Sequence, residues 1–205
     1  MESRATVQRT GKRRVASSKV TPLQGQALVL RIELCDIVPN IYRVIVVPAR
    51  ITLTKLHITI LRAMGWEGGH LHEFIINGEH YGELNPEFPH PGLKNQQRVR
   101  LDKALGTAAW FEYIYDFGDS WWHRVTLMER AEFKGPLDSP WCLGGAHACP
   151  PEDVGGVPGY ANFLEAVNDP SHADHAQMLQ WHGGPFDPAA FDLDEVNQRL
   201  MEIQL

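Results

Sequence analysis

Alternating apolar and polar positions dominate the first two-thirds of the chain and predict a series of β-strands. In ALVLRIELCDI, apolar residues occupy every second position up to Leu34, while Arg31 and Glu33 fall on the opposite face. The β-branched run IYRVIVVPA predicts a second strand that ends near Pro48. The two segments therefore predict an antiparallel hairpin with a short connection.

The apolar spacing changes to a helical period after this hairpin. From Leu53 to Met64, apolar residues recur at intervals of three and four, which predicts an amphipathic helix. Thr52 is a preferred N-cap residue, and Gly65 suits a left-handed C-cap. A hairpin followed by a helix is also how ubiquitin-like β-grasp folds begin.

The segments that follow extend the strand-rich pattern. Asn77-Gly78 predicts a type I′ hairpin, and VRLDKAL predicts another short strand pairing. Two aromatic strands are then joined through a tight turn, which we expect Asp116 and Asp119 to cap and in which Gly118 takes a positive φ.

The C-terminal third differs in composition from the strand-rich part before it. The segment GPLDSPWCLGGAHACPPEDVGGVPGY is rich in glycine and proline and predicts an ordered, irregular loop over the sheet, followed by three helical segments. Strands that precede helices in this way predict an α+β fold, with a mostly antiparallel or mixed sheet and helices packed on one face. A β-grasp-like core is the narrower expectation.

Length and cysteine content limit the class of protein. A chain of 205 residues suits one globular domain, and no apolar run approaches the ~20 residues that cross a bilayer. Its three cysteines, Cys35, Cys142 and Cys149, cannot all pair within one chain, which favours a reducing cytoplasm. We therefore expect a cytoplasmic protein with no membrane partner.

The net charge of −6 is unevenly distributed along the chain. Residues 1–22 carry six basic residues and one acidic residue (+5), whereas residues 23–205 carry 13 basic and 24 acidic residues (−11). This division predicts a disordered basic N-terminal arm followed by a single acidic domain. The arm has the charge for weak contact with nucleic acid, and the domain does not.

A family resemblance rests on five segments in this order: IYRVIVVPARITLTKLH, MGWEGGHLHEF, YDFGDSWWH, ACPPEDVGGVPGY and FLEAVNDPSHADH. Together they resemble the plasmid pRiA4b ORF-3-like family over about residues 26–203. The resemblance implies a small α+β protein of the kind often encoded on plasmids and other mobile elements, with no established activity. Some members carry the label resolvase, which would need a serine nucleophile supported by arginines and a basic DNA-binding module. The acidic domain with its scattered arginines does not support that label.

Five residues are candidates for catalysis: Asp116, Asp119 and His123 around the aromatic turn, and Glu152 and Asp153 in the glycine-rich loop. Carboxylates near a histidine can act as general acid and base or as metal ligands. In the structural alternative the carboxylates cap turns and accept backbone N–H groups, and His123 is a core residue.

A second group suggests a divalent metal. His172 and His175 are three positions apart and, with Asp169, are the candidate ligands, to which a carboxylate of the preceding loop could be added. His70 and His72 form a weaker pair that would share one face of a strand. Helix capping is the alternative role for Asp169, and no other cofactor is expected.

Trp122 and Arg124 alternate outward on their strand, a combination that suits a protein or peptide partner. Two functions follow from these candidates. The slightly favoured one is a non-enzymatic binding or adaptor domain associated with mobile elements. The other is a metal-dependent hydrolase or nuclease that uses histidine and carboxylate ligands in the C-terminal third, so the sequence leaves open whether the protein is an enzyme.

Overall fold

The computed structural model describes residues 25–87, 89–133 and 137–205, so the basic arm lies outside the described residues. In chain order the elements are β1 (Gly25–Leu34), β2 (Tyr42–Pro48), α1 (Leu53–Met64), β3 (His72–Ile76), β4 (Glu79–Gly82), β5 (Leu93–Asn95), α2 (Leu101–Leu105), β6 (Trp110–Tyr115), β7 (Trp121–Phe133), β8 (Trp141–Ala146), α3 (Gly156–Asn168), α4 (His175–His182) and α5 (Leu193–Met201). No helix within these ranges has the length and apolar character needed to cross a membrane.

The strands form one open sheet in the order β5-β4-β3-β6-β7-β1-β2-β8. Neighbouring strands are antiparallel except β4 and β5, which are parallel. The predicted α+β class with a mixed sheet is therefore confirmed. The expected hairpin and helix are β1, β2 and α1, and the other neighbour of β1 is the antiparallel strand β7.

The inner face of the sheet supplies most of the core. Alternate residues of β1 from Leu28 to Leu34 are buried, as their spacing predicts, and the apolar face of α1 packs against the same core. The Thr52 side chain accepts a hydrogen bond from the backbone N–H of Lys55, and Gly65 ends the helix at φ 102°. Burial of each large aliphatic side chain contributes about 1.5–3 kcal/mol, so this layer accounts for much of the stability.

Two local predictions are wrong. The segment VRLDKAL contains the helix α2, because Leu101 and Leu105 lie one helical turn apart and are both buried. The glycine-rich loop contains the edge strand β8, which pairs with β2. The side-chain amide of Asn197 in α5 bonds both the N–H and the C=O of Cys142 in β8, at 2.8 and 3.1 Å, and thus satisfies backbone groups at this edge.

Three histidine rings pack near the inner face of the sheet: His72 and His123 are buried, and His57 of α1 is partly buried. The rings of His57 and His72 stack with centroids 3.4 Å apart, and His57 Nδ1 lies 2.8 Å from the hydroxyl oxygen of Tyr113. Burial lowers the pKa of His57 to about 3 and that of His123 to about 4, and it also lowers the pKa of His72. The core therefore requires these rings to stay neutral.

We expect the protein to lose stability as the pH falls below about 6.5, because the unfolded chain then binds protons that the buried histidines cannot. Between pH 7.5 and pH 5, His57 and His123 should each reduce the free energy of unfolding by about 2 kcal/mol. Urea unfolding at the two pH values measures this loss. It should be smaller in His123→Phe and unchanged in the control His90→Gln, whose ring is exposed. An equal loss in all three proteins would contradict the assignment.

Candidate functional site

Three loops meet at one end of the sheet, beside β3 and β6. These strands are antiparallel, with His72 opposite Tyr115, so the residues before β3 and after β6 lie side by side. The backbone N–H of Asp116 donates to the carbonyl oxygen of Leu71 at 2.9 Å. The third loop, residues 147–155, leads from β8 into α3 and reaches the same end of the sheet.

His70, Asp116 and Asp153 come together from these loops. His70 Nδ1 lies 3.5 Å from Asp116 Oδ2, and His70 Nε2 lies 3.4 Å from Asp153 Oδ1. One ligand atom from each side chain lies within 4.8 Å of the other two. Among the residues that the structure describes, this is the one group of three or more histidine, cysteine or acidic residues with that geometry.

The backbone at this cluster is unusual. Asp116 and Asp153 have left-handed conformations, with φ of 56° and 59°, which cost energy in residues other than glycine and occur often at functional sites. The prediction of a positive φ at Gly118 is wrong, because the positive values in this turn belong to Asp116 and Ser120. Asp116 does cap the turn, since its Oδ1 accepts the N–H of Gly118 at 2.9 Å, which leaves Oδ2 facing His70.

Glu152 ties the third loop to the loop that carries His70. Its carboxylate accepts the backbone N–H groups of Glu67 and Gly68 at 2.9 and 3.2 Å and the hydroxyl of Tyr115 at 2.5 Å. Glu152 therefore makes the backbone contacts that its structural interpretation predicts. No described backbone N–H donates to the neighbouring carboxylate of Asp153, which remains largely exposed.

Asp119 connects the same loop to the turn after β6. Its Oδ2 accepts the N–H of Gly155 at 3.1 Å. The next residue, Gly156, has a φ of 67°, and a Cβ atom there would lie only 2.4 Å from the backbone oxygen of Asp119. Glycine is thus required at 156 for the start of α3 to approach the turn.

His123 belongs to the core rather than to the cluster. It is 1% exposed, and its Nδ1 lies 3.2 Å from the backbone oxygen of Tyr113. Its Nε2 has no hydrogen-bond partner among the described residues, and its ring meets that of Trp66 edge-on at 5.4 Å between centroids. This placement agrees with the core role that the sequence offered as the alternative for His123.

The predicted metal ligands around the start of α4 are engaged locally. His172 Nδ1 accepts the N–H of Asp174 at 3.1 Å, and His175 Nδ1 lies 2.8 Å from a backbone oxygen of α3. Asp169 accepts both the backbone N–H and the hydroxyl of Ser171, and these bonds lower the pKa of its carboxyl group. The structure does not gather these three side chains into a group of ligands.

Trp122 and Arg124 lie on the sheet face opposite the buried core. Trp122 is 39% exposed, and Trp110 on the adjacent strand is 44% exposed. The guanidinium carbon of Arg124 lies 4.3 Å from the ring centroid of Trp110. The predicted outward alternation along β7 is therefore present, with Arg124 against Trp110, and with Trp122 four residue pairs further along the strands.

The cysteines are poor candidates for metal binding or nucleophilic chemistry. All three are free, and burial raises the pKa of each thiol, that of Cys149 to about 12. The thiolate is the reactive and ligating form, and burial disfavours it. The histidine and carboxylate cluster is therefore the better chemical candidate.

A family model described as plasmid pRiA4b ORF-3-like protein matches residues 26–195. The chain belongs to the plasmid pRiA4b ORF-3-like family. It is 37% identical over 177 residues to the uncharacterized protein y4hQ of Sinorhizobium fredii (strain NBRC 101917 / NGR234), covering 85% of this chain and 90% of that protein. The crystal structure of MM3350, a protein of unknown function from Methanosarcina mazei Go1, is similar with a TM-score of 0.75 and 32% identity, over 83% of this chain and 97% of that one. These relatives establish family and fold and supply no activity.

Three of the five segments that carry the family resemblance supply the cluster, one residue each. MGWEGGHLHEF contains His70, YDFGDSWWH contains Asp116, and ACPPEDVGGVPGY contains Asp153. Segments that are far apart in the chain thus meet at one place in the pRiA4b ORF-3-like fold. The sequence pattern predicts Asp116 and Asp153 as candidates, but it groups His70 with His72 and not with the two aspartates.

Substitutions at Glu152 and at Asp153 should show which of these two neighbouring carboxylates stabilises the loop. We expect Glu152→Ala to lower the free energy of unfolding by about 2 kcal/mol, because it removes three hydrogen bonds to a charged acceptor. Asp153→Asn, the matched control, should change it by less than about 0.5 kcal/mol. Urea unfolding at pH 7.5 measures both values. Equal effects of the two substitutions would show that Glu152 does not hold the loop.

Proposed function

We propose that the protein is a divalent-metal-dependent hydrolase whose metal centre consists of His70, Asp116 and Asp153. The observation that carries the proposal is the convergence of an imidazole nitrogen and two carboxylates from three separate loops. With bonds of about 2.1 Å, neighbouring ligands of a tetrahedral ion are about 3.4 Å apart. His70 Nε2 and Asp153 Oδ1 lie 3.4 Å apart, and Asp116 Oδ2 lies 3.5 Å from the other ring nitrogen, Nδ1. Imidazole combined with carboxylate suits zinc or manganese.

The number and exposure of these ligands favour catalysis over a structural role. Structural zinc sites have four protein ligands, whereas catalytic sites have three and leave one position to water. The side chains of His70 and Asp153 are 33% and 71% exposed, so solvent and substrate can reach the centre. A bound ion lowers the pKa of its water towards neutrality. Held by His70, Asp116 and Asp153, the ion would supply an activated water as the nucleophile of a hydrolysis.

The surrounding charge favours hydrolysis of an uncharged or cationic substrate over hydrolysis of a nucleic acid. The domain of residues 23–205 carries a charge of −11. One cavity beside the cluster is bordered by Asp153, Glu165 and Asp174, and another, which reaches Phe117 next to Asp116, is bordered by several glutamates. A phosphodiester backbone would be repelled by these carboxylates. An uncharged or cationic substrate would not.

The proposal predicts one high-affinity metal ion per chain. Protein prepared without a histidine tag would be stripped with a chelator and titrated calorimetrically with Zn²⁺ and Mn²⁺. We expect His70→Ala and Asp116→Asn each to weaken binding by at least about tenfold, as loss of even an outer-shell partner does. The matched control His172→Ala should bind as the unmodified chain does, because His172 lies outside the cluster. Unchanged binding by His70→Ala, or a loss confined to His172→Ala, would refute the proposed centre.

A second function, recognition of a protein or peptide partner, is supported by the exposed aromatic face. Trp110 and Trp122 lie on adjacent strands, with Arg124 stacked on Trp110. Tryptophan and arginine are the residue types most enriched where binding energy concentrates at interfaces. This function would make the domain an adaptor, and it requires no metal.

Trp122→Ala tests the adaptor function. We expect the substitution to remove at least one protein that the unmodified chain captures specifically from host extract, because a large exposed aromatic anchor is lost. The control Met128→Ala removes another exposed side chain of β7, 57% accessible, and should leave capture intact. Circular dichroism should show the same fold for all three proteins. Equal capture by Trp122→Ala would remove this surface from consideration.

A further inference from the structure

We infer that the cavity beside the metal centre binds a cationic group of the substrate, an ammonium or guanidinium on a short aliphatic chain. The inference rests on the proposed function, because it names the substrate class for the same site. The cavity has a volume of about 480 Å³ and lies between α3 and α4. Asp153 borders it and also belongs to the metal centre. The volume is typical of sites that enclose small molecules.

The charges that line this cavity are of one sign. Asp153, Glu165 and Asp174 contribute three carboxylates, and the lining residues, all within the described ranges, include no lysine or arginine. His172 is the remaining titratable side chain on the wall. A concave surface lined by one sign of charge concentrates counter-ions of the other sign. The cavity therefore selects for a cation and against a carboxylate or phosphate.

The apolar part of the wall suits the same ligand. The half-exposed ring of Trp181 lines the cavity next to the thioether side chain of Met178, and it packs at 72° against the buried ring of Phe163, with centroids 5.8 Å apart. Aromatic faces attract ammonium and guanidinium groups, and the effect grows as water is excluded. An aliphatic stem would find apolar contact with Met178. The carboxylates and the Trp181 ring together thus match an alkyl cation.

The helix α4 contributes to this wall although none of its residues is fully buried, and its partly buried Met178 packs against the core. No residue of α4 is buried, yet it carries Met178, Leu179 and Trp181, and Trp181 is 46% exposed. Two of these three side chains line the cavity. Asp153 borders the same cavity and thereby connects it to the cluster at which the proposed reaction takes place.

Ligand-observed NMR on the metal-free protein tests the inference with three matched probes: n-butylammonium, 1-butanol and butyrate. We expect the ammonium ion to bind and the neutral and anionic probes not to bind. The double variant Glu165→Gln/Asp174→Asn should weaken ammonium binding by about tenfold, because two partly exposed ion pairs are lost. Its metal affinity should equal that of the unmodified chain, since neither residue belongs to the cluster. The control Glu129→Gln replaces an exposed acid of β7 and should change neither property.

Binding of 1-butanol or butyrate as tight as that of n-butylammonium would overturn the inference, as would ammonium binding that the double variant leaves unchanged. Because these measurements use metal-free protein, they do not depend on the metal centre. Metal binding that survives His70→Ala, together with selective ammonium binding, would overturn the proposed function and leave the cation site standing.

Discussion

The candidate site depends on the antiparallel pairing of β3 with β6, which sets His72 opposite Tyr115 and joins the backbones of Leu71 and Asp116 by a hydrogen bond of 2.9 Å. This pairing brings the residues just outside the two strands together, so His70 and Asp116 become neighbours although 45 positions separate them in the chain. The inner side chains of both strands are buried, and this burial fixes the register. A slip by one residue would reverse the faces and disperse the site.

The loop before α3 needs hydrogen bonds beyond those of the β3–β6 pairing, because its backbone takes an unfavourable conformation. The left-handed residue Asp153 of this loop costs about 1 kcal/mol or more. The hydrogen bonds of Glu152 to two backbone N–H groups and to Tyr115 offset this cost and keep the loop against the sheet. The hydrogen bonds that hold this loop thus come from Glu152, which lies outside the cluster, while the Asp153 carboxylate faces His70.

The sequence predicts well the features whose signals are local. The alternation in β1, the caps Thr52 and Gly65 of α1 and the Asn77-Gly78 turn all depend on neighbouring residues, and the structure contains each of them. The pairing of β3 with β6 leaves no comparable signal, because β4, β5 and α2 intervene between the two strands. Spacing alone pairs His70 with His72, yet His72 begins β3 and its buried ring bonds the side chain of Gln96. Backbone conformation, which composition does not reveal, gives Glu152 and Asp153 different roles.

The most direct test is a crystal of the full chain grown with zinc and measured on both sides of the zinc absorption edge. A metal centre at His70, Asp116 and Asp153 predicts one strong anomalous peak per chain, about 2.1 Å from a ring nitrogen of His70 and from a carboxylate oxygen of each aspartate. A map with no peak at this cluster, or with its main peak at His172 and His175, would contradict this centre.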